Sequence, residues 1–327
     1  MALGPHGRPA RNARNVGGTP PIVGVVTTSP VAYDTLADVY EWLVPEPLLT
    51  PEGAADAFAS VVDHLPAGGR VLDCAAGTGQ LAVGLALRGF AAVAADLSPA
   101  MVERTRALAA ERNVDLPAVT CDWTALGRQG WREPFDAVFC VGNSIAHVGP
   151  SGPRRAALSA MAGVLSAGGV LALTSRNWDL VRAQGPGLRV ADSLTRRAGR
   201  TGLVLYSWDL SDSAERPDHV DVAVALFADG ETDGETDGET DGGAGGGAGG
   251  GAGGETDCGA GGGADGESDR GAGVVAVTTH QERLAYWPFG HDELVADLRA
   301  VGLALEHTTY TDDAERYLLV ARRTAGR

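Results

Sequence analysis

The sequence predicts an α/β fold. Its core is a doubly wound, mostly parallel sheet of about seven strands, the last antiparallel, with a small antiparallel β cap inserted after strand five. Between residues 70 and 175, short apolar runs alternate with helical segments, which is the pattern of a parallel sheet with helices on both faces. Residues 203–286 then show β-type runs without helices, and a helical pattern with two apolar runs returns afterwards. The sheet is therefore expected to be interrupted by the cap and completed after it.

Two helices are predicted before the first strand. Val31–Leu43 repeats apolar residues at helical spacing. Thr50 and Pro51 supply an N-cap and a proline at the first helical position, which opens a second helix reaching about Leu65.

The alternating units follow in order. Strands are predicted at residues 70–73, 91–96, 118–121, 135–141 and 170–175, and helices at 79–88, 98–112 and 153–166. The run 135–141 is apolar on both faces, as expected for a buried parallel strand.

The pattern changes after Asp179. Further strands are predicted at residues 203–209, 219–227 and 274–286, then a helix at 291–300 and strands at 303–309 and 316–322. The chain is thus expected to comprise a disordered tail (1–30), a core (31–180), a β-rich cap (181–287) and a C-terminal segment (288–327) that completes the core.

Low complexity and charge concentrate in one insert of the cap, residues 229–273. It holds 20 glycines and twelve acidic residues against one arginine, so it carries −11 of the net charge of −16. Such a composition buries too little apolar surface to offset ordering, so we expect it to be disordered. It is expected either to have no function or to serve as a partner-binding or solubilising segment. The remaining chain is only mildly acidic and has no basic stripe for nucleic acid.

The cysteines and the hydropathy pattern restrict the cellular context. The four cysteines show no CxxC spacing and no histidine cluster, so neither a metal site nor a disulfide framework is predicted. Cys74 and Cys140 are expected to be small buried residues and not nucleophiles. No apolar run approaches the ~18 residues of a membrane span, and no secretory signal opens the chain. A cytoplasmic protein with reduced thiols is the expectation.

A glycine-broken turn is the strongest local signal. Val71–Asp73 reads as a strand, Gly77 and Gly79 allow a sharp turn close to a ligand, and an apolar helix follows. Asp96 ends the next strand nineteen residues after Gly77, where nucleotide-binding folds place a carboxylate that accepts from ribose hydroxyls. The turn and Asp96 together predict a nucleoside site.

Asp73 indicates which nucleoside. The glycine spacing alone also fits a nicotinamide cofactor, and a turn that binds nothing remains an alternative. A pyrophosphate at a helix N-terminus favours positive potential, so an acid just before the turn is unfavourable there. A cofactor with a cationic amino-acid tail and no phosphate tolerates it. The residues therefore favour S-adenosylmethionine.

Four motifs, each at the end of a successive strand, extend the pattern: Asp73-x-Ala-x-Gly77-Thr78-Gly79, Asp96-x-Ser98-x-x-Met101, Asp122-Trp123 and Gly142-Asn143-Ser144-x-Ala146-His147. In this order they resemble the class I S-adenosylmethionine-dependent methyltransferases, which have a Rossmann-like sheet. The last motif, with Arg176-Asn177-Trp178-Asp179 and Leu284-Ala285-Tyr286-Trp287-Pro288, resembles more narrowly the glycine and sarcosine N-methyltransferases.

The resemblance implies a set of cofactor-binding residues. Asp73 would lie near the ammonium of the methionine tail, Asp96 at the ribose and Asp122 at the adenine amino group. The first helix, with Tyr33 and Tyr40, would close over the cofactor. The implied set is Tyr33, Asp73, Ala75, Gly77, Gly79, Asp96, Met101, Asp122, Trp123, Val141, Ser144 and His147.

The resemblance also implies an acceptor site. Arg176 would bind a substrate carboxylate, while Asn143 and Tyr286 would orient an amine such as glycine or sarcosine. No general base is evident, so catalysis by positioning is expected. Alternatives are a small-molecule O- or N-methyltransferase of specialised metabolism and a non-catalytic binding regulator. The sequence is compatible with a homo-oligomer.

Overall fold

The computed structural model describes residues 30–191, 194–197, 199–213, 215–227 and 277–324. The expected disorder of segments 1–30 and 229–273 lies outside these residues, apart from Pro30.

The strands of the described chain form two sheets. Their bounds are β1 (Arg70–Asp73), β2 (Ala91–Asp96), β3 (Ala118–Thr120), β4 (Phe135–Cys140), β5 (Leu165–Arg176), β6 (Gly187–Val190), β7 (Thr195–Arg197), β8 (Arg200–Asp209), β9 (Asp218–Phe227), β10 (Val277–Tyr286), β11 (Leu303–Thr308) and β12 (Arg316–Arg323). The short strands β6 and β7 were not predicted, because three or four residues are too few to show a period.

The central sheet has seven strands in the order β11-β12-β5-β4-β1-β2-β3. Strands β1 to β5 are mutually parallel, and β12 runs antiparallel between β5 and β11. The sheet, its antiparallel strand and the cap after β5 confirm the predicted fold class.

Helices cover the sheet. They are α1 (Pro30–Leu36), α2 (Pro51–Ala57), α3 (Ala59–Val62), α4 (Gln80–Leu87), α5 (Pro99–Glu111), α6 (Ser151–Val164), α7 (Trp178–Gln184) and α8 (His291–Ala300), with 3₁₀ turns at Ala37–Leu43, Glu46–Leu48, Trp123–Arg128 and Ser144–His147. The described chain has no helix with the length and apolar character that a bilayer span requires.

Side-chain caps start several helices where the sequence places polar residues. Thr50 accepts from Gly53 N at 3.1 Å, Ser98 from Met101 N at 3.1 Å, and Asn177 from Leu180 N at 3.2 Å. Two predicted helices are shorter than expected. The first becomes 3₁₀ after Leu36, and the second is interrupted at Phe58.

Apolar clusters lie on both faces of the sheet. One face packs on α2 to α5, and the other on α6, α8 and the cap. Buried Arg154 of α6 donates to Asp297 of α8 at 2.8 Å, which ties those helices together.

The cap is an antiparallel sheet in the order β10-β9-β8-β6, with β7 also pairing with β8. Strands β9 and β10 pair along their full length, from Phe227 opposite Val277 to Asp218 opposite Tyr286. This register delivers Tyr286 to the edge of the central sheet, where Trp287 N donates to Ala146 O at 2.7 Å.

Candidate active site

A cavity opens at the carboxyl ends of the parallel strands. Ligands of open α/β sheets bind at this edge. Its walls are Tyr33, Tyr40, Ala75, Gly77, Asp96, Leu97, Ser98, Met101, Cys121, Asp122, Trp123, Ser144, His147 and Val148. Among the predicted cofactor residues, Asp73, Gly79 and Val141 are not part of this lining.

The wall residues absent from the prediction adjoin predicted ones in sequence. Leu97 and Ser98 lie inside the motif that begins at Asp96, Cys121 precedes Asp122, and Val148 follows His147. Reading every position of the second motif, and extending the others by one residue, would have found them. Tyr40 was expected only as a member of the first helix.

Asp96 joins the turns that follow β1 and β2. Its Oδ2 accepts from Gly77 N at 2.8 Å, and its Oδ1 accepts from Ser98 N at 2.9 Å. Burial raises the pKa of Asp96, and the bonds from Ser98 and Gly77 lower it. Each carboxylate oxygen has a further lone pair, so Asp96 can still accept from ligand hydroxyls.

The two glycines of the turn have different roles. Gly77 has φ 53°, and a Cβ there would lie 3.5 Å from the ring of Tyr40, inside the ligand space. Gly79 has φ 93°, and a Cβ there would lie 2.9 Å from Thr105. Gly77 therefore keeps the cavity open, and Gly79 lets α5 pack against the turn.

Asp73 is a buried carboxyl with one weak side-chain hydrogen bond, from Ala75 N at 3.3 Å. Burial raises the pKa of Asp73 to about 7. None of the described residues forms an ion pair with it. A buried acid without a cation is costly, so this position suits the positive group of a ligand near Ala75.

Trp123 and Asp122 form the far wall of the cavity. The indole Nε1 of Trp123 donates to Cys74 O at 2.6 Å, which fixes the ring. Asp122 Oδ1 accepts from Thr124 N at 2.7 Å, so its other oxygen can accept from a ligand. Burial raises the pKa of the Cys74 thiol, which argues against a nucleophilic role.

Val141 lies away from this cavity. Its side chain packs against the apolar cluster between the sheet and helices α2 to α5.

Asn143, two residues after Val141, has φ 69°. Its Oδ1 accepts from Arg176 N at 2.9 Å, which joins the ends of β4 and β5. Its buried Nδ2 has no partner among the described residues. The amide can therefore donate to a ligand oxygen, whereas its carbonyl is already used.

A polar chain links the cap to the cavity. His147 Nδ1 lies 2.7 Å from Ala285 O, and His147 Nε2 lies 2.7 Å from the Tyr33 hydroxyl. The His147 ring also contacts the ring of Tyr286, at 4.3 Å between centroids. Burial lowers the pKa of His147 to about 4, so the ring is neutral near pH 7.

The directions of these bonds follow from the carbonyl at one end. Ala285 O can only accept, so Nδ1 of neutral His147 carries the proton and Nε2 accepts from Tyr33. Tyr33 has then used its proton, so its oxygen keeps its lone pairs for another donor.

Arg176 and Tyr286 belong to an aromatic group beside the cavity. Arg176 Cζ lies 5.5 Å from the centroid of the Trp208 ring, and that ring stacks on Tyr286 at 6.3 Å between centroids. Trp178 contacts Tyr286 at 5.2 Å. Trp208 was not predicted, because nothing in the alternation of β8 marks the strand face that meets the site. The three predicted acceptor residues thus lie outside the cavity wall, and Tyr286 contacts the wall residue His147.

Comparison with known proteins identifies the domain. Residues 71–169 match the family described as "Methyltransferase domain". The glycine/sarcosine N-methyltransferase of Parasynechococcus marenigrum is 36% identical over 157 residues, 48% of this chain and 51% of that protein. Human glycine N-methyltransferase is 33% identical over 129 residues, 36% of this chain and 43% of that protein. The chain thus spans about half or less of these curated relatives.

Solved structures agree on the fold. The CcbJ methyltransferase of Streptomyces caelestis aligns with a TM-score of 0.60 at 17% identity, covering 90% of this chain and 98% of that one. The sugar N-methyltransferase KedS8 of Streptoalloteichus aligns with a TM-score of 0.57 at 20% identity, covering 98% and 100%. These matches confirm the predicted fold, and residues 71–169 match a methyltransferase domain.

Proposed function

We propose that the protein transfers a methyl group from S-adenosylmethionine to the nitrogen of a small amine that carries a carboxylate, such as glycine or sarcosine. The names of its relatives support an amine acceptor. The three cysteines of the described residues are buried and free, which supports the cytoplasmic location expected from the sequence.

The cofactor fits the residues around the cavity. Asp73 offers a buried carboxyl to a cationic tail, Asp96 offers lone pairs to sugar hydroxyls, and Gly77 leaves the space that a side chain would fill. Asp122 and Trp123 offer an oxygen and a ring face to a base. When bound, the cofactor would supply a methyl group on a sulfonium; an amine nitrogen could form a bond to that methyl carbon while the S–C bond breaks and S-adenosylhomocysteine leaves.

The described residues can orient the amine. An ammonium has no lone pair, so the acceptor must be neutral at nitrogen when the N–C bond forms. The Tyr286 hydroxyl oxygen can accept from an N–H of the acceptor. The ring of Tyr286 lies against His147, which is held by Ala285 O and the Tyr33 hydroxyl. Catalysis is then mainly positioning and exclusion of water.

The proposal rests mainly on the surroundings of Arg176. Its guanidinium has no carboxylate partner among the described residues, and it lies over Trp208 beside Tyr286. A fork-shaped cation in that place suits a carboxylate, and the free Nδ2 of Asn143 is a second donor.

The test measures S-adenosylhomocysteine formation with glycine, sarcosine and the corresponding methyl ester of glycine. We expect transfer to the acids, weaker transfer to the ester, and rates that rise with pH as the amine loses its proton. Arg176→Gln should raise KM for the acids about tenfold or more, with little change in S-adenosylhomocysteine affinity.

Controls separate the alternatives. S-adenosylhomocysteine should raise the melting temperature, and NAD should not. Equal KM for acid and ester would refute carboxylate recognition. Binding of the cofactor without transfer to any acceptor would support a binding regulator.

A further inference from the structure

A second arginine stands beside Arg176. Arg316 of β12 is its direct partner in the antiparallel pair with β5. Side chains of directly opposed residues leave a sheet on the same face. The two guanidiniums therefore project to the same side, toward the cap.

Both charges act on the same aromatic residues. Burial raises the pKa of Tyr286 and of Tyr206, and the charges of Arg176 and Arg316 lower it in both. Burial raises the pKa of Tyr40, and Arg316 lowers it as well. Arg316 thus faces the acceptor group and also the rim of the cofactor cavity.

Neither guanidinium is neutralised within the described part of the chain. No carboxylate of the described residues forms an ion pair with Arg176 or Arg316. Two other arginines are paired, because Arg182 contacts Asp218 at 2.9 Å and Arg283 contacts Asp209 at 2.6 Å. Asp209 and Asp218 are therefore committed elsewhere.

The side chain of Arg316 is exposed, so a ligand can reach it from solvent. Desolvation by the surrounding residues lowers the pKa of Arg316, and the charge of Arg176 lowers it further. Two adjacent cations on one face of the sheet, neither paired with a carboxylate of the described residues, suit an anionic ligand.

One carboxylate satisfies one guanidinium through two parallel hydrogen bonds. A bidentate contact with Arg176 would leave Arg316 unmatched. We propose that Arg316 is a specificity-determining residue, and that the preferred methyl acceptor is an amine carrying two acidic groups, one for each arginine. This inference rests on the proposed amine methylation and narrows its substrate class.

The first test compares sarcosine with iminodiacetate. Both are secondary amines, and iminodiacetate carries a second carboxylate on the carbon that is the N-methyl group of sarcosine. We expect kcat/KM for iminodiacetate to exceed that for sarcosine by about tenfold or more. Arg316→Gln should abolish the preference, and Arg316→Lys should retain part of it. Arg299→Gln, which removes an exposed arginine of α8, is the matched control and should change neither value.

The second test measures binding without turnover. Calorimetry with succinate and with acetate should show tighter binding of succinate, about tenfold, and Arg316→Gln should remove the difference. Melting temperatures establish that each variant is folded. Equal kcat/KM for the two amines, or a preference unchanged by Arg316→Gln, would refute the inference and leave amine methylation intact. Absence of transfer to every amine would instead refute the proposed function.

Discussion

The two ends of the site are built differently. At the cofactor end, short polar residues and glycines are bound to the main chain within a few residues of a strand end. Asp96, for example, holds the amides of Gly77 and Ser98. At the acceptor end, long side chains converge from α1, β5, β8, β10 and β12. The first arrangement is fixed by local backbone geometry, and the second depends on how the cap packs on the core. We therefore expect variants at the two ends to separate cofactor affinity from acceptor affinity.

The largest expected effect is at Asp96. Asp96→Ala removes two amide contacts and the carboxylate offered to the sugar, so S-adenosylhomocysteine affinity should fall about a thousandfold. Calorimetry measures the affinity, with exposed Asp115→Ala as the control. If Asp96→Ala does not fold, Asp96→Asn should show a smaller loss. Undiminished binding by either folded variant would show that Asp96 is not part of the cofactor site.

Asp73→Asn should have effects of opposite sign on stability and on binding. The folded pKa of Asp73, about 7, lies above the unfolded value of 3.8. The contribution of Asp73 to the free energy of unfolding is therefore most favourable below pH ~4, where its carboxyl is protonated. This stabilisation is lost as the pH rises through 7. Removing the charge should stabilise the free protein at pH 8 by up to about 4 kcal/mol, and hardly at all at pH 4.

The same change should weaken S-adenosylhomocysteine binding about tenfold, because the cationic tail loses its counter-charge. Denaturant unfolding at pH 4, 6 and 8 and calorimetry measure the two effects, with Asp115→Asn as the control. A variant that is less stable than wild type at pH 8 would show that Asp73 is already neutralised in the folded chain.

The smallest effect tests the link between the two ends. Tyr33→Phe removes the hydroxyl that bonds His147, which contacts Tyr286, but keeps the ring against the cavity. We expect kcat to fall about fivefold to tenfold, with cofactor affinity changed by less than about threefold. Tyr310→Phe, which removes a hydroxyl near exposed Asp312, is the control. An unchanged kcat would show that the polar chain does not orient the acceptor.

The same difference explains how much could be predicted from the sequence. Asp73, Gly77 and Asp96 could be found because each stands at a fixed place after an apolar strand. Arg316 could not, because its meeting with Arg176 depends on the register of β12 against β5. Strand register is set by tertiary packing and is not legible in a single strand.

The same limit on prediction from sequence applies to the individual side chains of the acceptor end. Asn143, Arg176 and Tyr286 were named only through the resemblance to glycine and sarcosine enzymes. Their roles as acceptor residues remain predictions.

The register of β9 and β10 places the ends of the 228–276 segment far from Tyr286. Phe227 and Val277 are paired, so residues 228–276 leave and rejoin the molecule at one point. Tyr286 stands at the other end of that ten-residue strand, about 30 Å away. Closing a longer segment costs only slightly more chain entropy. Lengthening or shortening this segment over evolutionary time could therefore leave the reacting groups where they are, so its unusual composition need not reflect selection on catalysis.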